Sequence, residues 1–368
     1  MDIENENNEI EQPEGGDTAG NDSANTGQHN EISNQGEANT ESETSGFTAY
    51  SNETAFVMQA YENLRTEVKK LIIGNNQLIE LTLVGLLSGG HVLIEGVPGV
   101  AKTLLSKLLA RSIGIDFQRI QFTPDLMPSD LLGTSVFNLK ESEFEFKKGP
   151  IFSNLVLIDE INRAPAKTQA ALLEVMEEKQ VTIDGTTYAM SLPFFVIATQ
   201  NPIEHEGTYR LPDAQLDRFL FKLNAPHPSL EDEKAILERF KNQFNIKISE
   251  EQVNTVVQPA DISKCQSIIE DVHIKSELID YIAQIVHETR NHGEIYLGAS
   301  PRASLSILRT AKGIAAIRGR NFVTPDDIQH VCGPVLNHRI ILTPEKEMSG
   351  GTRTEVIKEI LKDIEVPR

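Results

Sequence analysis

The chain has 368 residues with 54 acidic and 34 basic side chains, a net charge of −20. Twelve of those acids lie in residues 1–46, which hold no Lys, Arg or aromatic residue, so the remaining chain carries −8. This balance argues against a nucleic-acid surface, two cysteines argue against a disulfide framework or a Cys-based zinc site, and no apolar run reaches the roughly 18 to 20 residues of a membrane-spanning helix.

Residues 1–46 are too poor in apolar side chains to offset the entropy of ordering them, so they read as a disordered acidic tail. The tail lacks the basic start and apolar centre of a signal peptide, and a reducing cytoplasm is the expected setting. From Glu53 to Ile72 the apolar residues step by about four, a helix face that ends at Gly74. A second helix is expected from about Gln77 to Leu87, then a strand at His91–Ile94, a Gly-Pro-Gly loop and a helix from about Lys102. Further apolar strands fall at Phe117–Phe122, Leu155–Ile158, Phe194–Ala198 and Phe219–Leu223. Continuous apolar strands separated by helices describe a parallel sheet covered on both faces, an α/β core over 47–226.

Two stretches depart from that alternation. Leu131 to Phe152 holds no good helix and contains Phe144-Glu145-Phe146, so a β insertion is expected there. Val181 to Met190 reads as a hairpin about Asp184-Gly185. Both should project from the sheet. After Asn224–Pro228 the chain turns helical: Glu231–Phe240 and Ser276–Asn291 have helical spacing, Ser300-Pro301 forms an N-cap, and Thr324-Pro325 starts another helix. These make a small helical domain over 227–344, followed by a terminal segment, 345–368.

The residues that carry chemistry lie at the predicted strand ends. Gly96-Val97-Pro98-Gly99-Val100-Ala101-Lys102-Thr103 follows a buried strand and opens a helix, as a phosphate-binding loop does. Loop and helix N–H groups aim at phosphates, Lys102 adds a charge and the Thr103 hydroxyl can ligate Mg²⁺. Ala101 stands where the last glycine of the usual pattern would be, so an ordinary negative φ is expected there. Some 55 residues on, Leu155–Ile158 runs into Asp159-Glu160. Asp159 can hold Mg²⁺ through water, and Glu160 is placed to polarise a hydrolytic water. Asn201 ends the next strand and can share that water. Arg218 precedes the last strand, at the edge away from its own nucleotide. His205, between two glutamates, has no companion metal ligand.

Together these residues resemble the AAA+ ATPases, and within them the MoxR family. The resemblance rests on the loop just quoted, Leu157-Ile158-Asp159-Glu160-Ile161-Asn162-Arg163-Ala164-Pro165, Ala198-Thr199-Gln200-Asn201-Pro202, Leu216-Asp217-Arg218-Phe219 and Ser300-Pro301-Arg302. It implies an AAA+ P-loop core with β-hairpin insertions and a small all-α lid. It assigns Lys102 and Thr103, with Leu104 next to them, to Walker A, Asp159 and Glu160 to Walker B and Asn201 to sensor 1. Arg218 becomes an arginine finger, Arg302 a sensor 2 that swings toward the phosphates, and Ile73-Gly74 the segment against adenine. It further implies ATP and Mg²⁺ as cofactors, a homo-oligomeric ring of six, and a protein client or a von Willebrand factor A domain partner. A nucleotide-gated assembly module without turnover, and a DNA-linked motor using Lys140, Lys147 and Lys148, are the alternative readings.

Overall fold

The computed structural model describes residues 52–97, 99–201, 209, 211–241 and 252–367. The acidic tail, Pro98, Pro202 and His205 lie outside them. Among the described residues no helix is long and apolar enough to cross a membrane.

Five parallel strands form the central sheet: β1 (Val92–Gly96), β2 (Phe117–Gln121), β5 (Leu155–Asp159), β8 (Phe195–Gln200) and β9 (Phe221–Ala225), in the order β2-β5-β8-β1-β9. The apolar sequences of the inner strands β5, β8 and β1 follow from burial on both sides, whereas the edge strands β2 and β9 carry polar residues. Ile94, Leu155, Leu157, Phe195 and Ile197 enter one core, whereas the alternate residues Leu93, Val156, Ile158, Val196 and Ala198 enter a second. The first core is shared with α1 (Asn52–Lys69), α2 (Asn76–Leu87) and α3 (Lys102–Ile113). The second is covered by α5 (Ala166–Glu178), through Leu172, Leu173, Val175 and Met176. Each fully buried Leu, Ile or Val contributes about 1.5–3 kcal/mol, so either face alone holds a strand firmly.

The two interruptions are antiparallel hairpins outside the sheet, β3 (Gly133–Asn138) with β4 (Glu143–Lys148), and β6 (Gln180–Ile183) with β7 (Thr186–Ala189). The second turns on Asp184 and Gly185, both at positive φ, as a two-residue loop requires. Phe146, Phe152 and Tyr188 pack the hairpins together, with Phe146 and Tyr188 centroids 4.5 Å apart. A short helix, α4 (Pro128–Leu132), precedes the first hairpin.

After β9 the helices Leu230–Lys241, Pro259–Glu270, Ser276–Asn291, Pro301–Ile317 and Pro325–Leu336 follow, and Arg353–Asp363 packs back on them. Buried residues Ile307, Ala311, Val331 and Val356 join the first core, so the helical part packs onto the sheet through α1 and α2. Fully buried Asp327 accepts from Arg318 and Arg320 and caps its own helix at Thr324. Cys265 and Cys332 are buried, free thiols, both pushed up to about 12 by burial. Ser300 takes the N-cap position with Pro301 opening the helix, as expected, and its hydroxyl donates to Asp217 Oδ2 at 2.8 Å.

His91, just before β1, ties the sheet to α5 in a way that gives stability a pH dependence. Its Nε2 lies 3.0 Å from Met176 O and its Nδ1 accepts from Val196 N–H at 3.0 Å. Only the neutral ring satisfies both contacts, and burial lowers its pKa from 6.5 to about 4. The unfolded chain therefore binds the proton first, so this stability is complete above pH 6.5 and is lost as pH falls from 6.5 to 4. The loss expected is about 3 kcal/mol. Urea unfolding at stepped pH should show it, and His91→Gln, which keeps a donor and an acceptor, should flatten that slope. Buried His338, lowered in the same direction, leaves a residual slope.

Candidate functional site

The loop after β1 wraps the N-terminus of α3. Gly96 lies so close to β9 that a Cβ there would sit 2.5 Å from Ala225 O, whereas a Cβ on Gly99 would meet nothing. Gly99 is at φ 89 and Ala101 at φ 62. The expectation of an ordinary φ at Ala101 is thus corrected: the residue is left-handed, which costs a non-glycine residue roughly 1–2 kcal/mol. Glu160 is also left-handed, at φ 58. Two such residues facing one cleft are strain of the kind held at functional sites.

That cleft, about 510 Å³, is lined by Gly99, Ala101, Lys102, Thr103 and Leu104 from the loop and α3. Asp159 and Glu160 at the end of β5, Thr199 and Asn201 at the end of β8, and Arg119 and Gln121 of β2 also line it. All but Arg119 stand at the carboxyl ends of neighbouring parallel strands, where such sheets bind ligands. Lys102 Nζ donates to Gly96 O at 2.6 Å. Burial lowers its pKa, opposed by the charges of Asp159 and Glu160. Beyond Leu104 a second cavity of about 250 Å³ is bounded by Leu71, Ile72, Ile73, Val100, Ile236 and Phe240. Its apolar walls suit a flat ring joined to the phosphates through Gly99 and Ala101. Gly74 stands beside it at φ 70.

Asp159 is held by β8 and β2. Thr199 Oγ1 donates to its Oδ1 at 3.2 Å and Arg119 Nε to its Oδ2 at 2.5 Å. Glu160 accepts from Gln121 Nε2 at 2.8 Å and pairs with Arg163 Nε at 3.0 Å, and its N–H donates to Thr199 Oγ1. Arg119, Gln121 and Thr199 were not foreseen. The signal for Arg119 and Gln121 was present in β2, where Phe-Gln-Arg-Ile-Gln puts both on the face opposite buried Ile120.

The donor set fits Mg²⁺: a hydroxyl, Thr103, and a carboxylate, Asp159, both hard oxygens, share the cleft with the phosphate loop. Arg119 already neutralises Asp159 and must yield to the ion. Removing it with Arg119→Ala should lower the Mg²⁺ concentration that supports nucleotide binding by about two- to fivefold, the worth of a half-exposed ion pair. Titration of Mg²⁺ against a fluorescent ATP analogue measures this. An unchanged or higher midpoint would contradict it.

Arg218 and Arg302 are not in this cleft. Both pair with Glu177 at the end of α5, and they line a separate cavity of about 350 Å³ with Gly89, Gly90 and Leu220, residues that precede β1 and β9. This is the opposite end of the sheet, a strand length of roughly 16 Å from the phosphate loop. Arg302, expected on a helix mount that could swing toward the phosphates, lies beside Arg218 and away from the phosphate loop of its own chain. The cause is the seating of helix Pro301–Ile317 against α1 and α2, behind the sheet. Arg218 stands where the order of the strands put it. Asp217, next to Arg218, accepts from Ser300 Oγ and from Arg339 Nε at 2.6 Å, which fixes the two arginine-bearing segments to one another.

Residues 91–221 match the family model described as ATPase family associated with various cellular activities (AAA), and 287–360 match the AAA lid domain. Chaperone MoxR1 of Mycobacterium tuberculosis is 45% identical over 311 residues, 82% of this chain and 81% of that protein. Protein YeaC of Bacillus subtilis is 45% identical over 300 residues, 82% of this chain and 92% of the relative. A crystal structure of a Cytophaga hutchinsonii protein assigned as an ATPase superposes with a TM-score of 0.79 at 43% identity. It covers 86% of this chain and 97% of that one.

Proposed function

The chain belongs to the MoxR family of AAA+ ATPases, and from that premise we propose that it hydrolyses Mg²⁺-ATP at interfaces between copies in a ring, remodelling or maturing partner proteins. One observation carries the reading: the phosphate-facing groups line one cleft, while Arg218 and Arg302 converge at the other end of the sheet. Each copy then holds a triphosphate in its own cleft and offers its arginines to the next copy's.

In that arrangement Lys102 and the loop N–H groups hold the β- and γ-phosphates. Thr103, and through water Asp159, would hold Mg²⁺, which would neutralise the phosphoryl oxygens. Glu160, with its carboxylate at the cleft, takes the proton of the attacking water, and Asn201 fixes that water in line with the γ-phosphate. Arg218 and Arg302 from the adjacent copy offset the charge that develops on the transferred group. A ring of six, and a von Willebrand factor A domain among the partners, follow from the family resemblance.

Protein clients suit the surface better than DNA does. Phe137, Leu139 and Phe144 stand exposed at the tip of the β3–β4 hairpin, with Phe137 and Phe144 rings 5.2 Å apart. Lys147 and Lys148 lie at the base of the hairpin, away from that tip, on a strand that also carries Glu143 and Glu145. The test is phosphate release from ATP across protein concentrations. A Mg²⁺-dependent specific rate that rises with concentration and ignores added DNA is expected. No release, or a rate per chain unchanged by dilution, overturns the reading.

A further inference from the structure

The cavity that holds Arg218 and Arg302 contains a carboxylate the hydrolysis does not use. Glu177, in the last turn of α5, takes Arg302 on Oε1 and Arg218 on Oε2. Arg218 NH1, the nitrogen that meets Glu177, also donates to Leu173 O at 3.0 Å. Lys179, Arg309 and Arg339 line the same cavity, whose only other carboxylate among the described residues is Asp217. Five cations against two anions leave three positive charges. Arg339 and Ser300 occupy Asp217. Glu177 is thus the one anion that half-buried Arg218 and exposed Arg302 share.

A carboxylate with each oxygen on a separate guanidinium presents the same fork as two terminal oxygens of a phosphoryl group. We propose that Glu177 is an internal stand-in for the adjacent copy's γ-phosphate, occupying Arg218 and Arg302 until a copy bearing ATP docks. The inference rests on the proposed sharing of a nucleotide between copies. Docking exchanges one anion for another. A γ-phosphate brings more charge than Glu177 and displaces it. A copy bearing ADP lacks that group, Glu177 recaptures both arginines, and the interface loosens. Discrimination between ATP and ADP is then written into the arginine face as well as the cleft.

Glu177→Gln keeps the size of the side chain and removes its charge. Assembly, followed by sedimentation velocity in Mg²⁺-ATP, should reach its midpoint at about five- to tenfold lower protein concentration than in the wild type. Assembly in ADP should appear where the wild type stays dissociated. The specific ATPase rate at saturating protein should stay within about twofold. Glu177→Asp, too short to span both guanidiniums, should shift the midpoint in the same direction by less. An unchanged or raised midpoint with both variants overturns the inference, as does a saturated rate that collapses while assembly is unaltered, which would make Glu177 a support for the arginines. If the wild type itself hydrolyses ATP at a rate per chain independent of concentration, the shared-nucleotide reading fails instead, and the two failures are told apart by that control.

Discussion

Replacing Glu160 by Gln is expected to lower ATP turnover by a factor of about 10²–10⁴, the usual contribution of a general base, while nucleotide affinity stays within a few-fold. The amide has the same length and cannot take a proton from water. It still accepts from Gln121 Nε2 and Arg163 Nε, the two donors on Glu160 Oε2. The backbone there is left-handed at φ 58, and Gln bears that conformation at the same cost as Glu, so the fold is not asked to change. Affinity is retained because Lys102, Thr103 and Asp159 are untouched, and one negative charge fewer faces the phosphates. Phosphate release under single-turnover conditions, beside titration with a fluorescent ATP analogue, separates the two quantities. Turnover within tenfold of the wild type would place the base elsewhere in the cleft.

The sequence made the inner strands and the cleft legible for one physical reason: strands buried on both faces must be largely apolar, and the polar groups at their ends then stand out. Leu155–Asp159 is the clear case, four apolar residues and then Asp159-Glu160. The β6–β7 hairpin was legible because a two-residue loop needs positive φ and Asp-Gly supplies it. Three things were not legible. Ala101 looked like a residue that would refuse a left-handed φ, but the cradle of N–H groups around a phosphate fixes the loop geometry and the cost is absorbed. Arg302 was correctly put on the first turn of a helix, but local spacing does not say against which end of the sheet that helix packs. That is decided by Ile307, Ala311 and Ile314 meeting the core that α1 and α2 share. Glu177 sits in Glu177-Glu178-Lys179, a run that reads as a solvated helix end, and its meeting with Arg218 and Arg302 is purely tertiary.

Arg218→Ala should reduce turnover by about 10³–10⁵, the range measured when an arginine is withheld from a transferring phosphoryl group. Cleft and arginine belong to different copies in the proposed ring, which permits a sharper test than the loss itself. Lys102→Ala protein has an impaired cleft and an intact Arg218. Arg218→Ala protein has the reverse. Each should be inactive alone. In a mixed ring every contact is head to tail, so an Arg218→Ala copy can receive Arg218 from a Lys102→Ala neighbour. With equal amounts and random mixing, half of the clefts and half of the arginines are intact, and about one quarter of the contacts combine both. Recovery toward about a quarter of the wild-type rate is therefore expected, provided the copies are mixed before nucleotide locks the rings. An arginine serving its own chain's nucleotide predicts no recovery at any ratio, because no single chain in the mixture carries both groups. The roughly 16 Å of strand between Arg218 and the phosphate loop makes that second outcome incompatible with the fold as well.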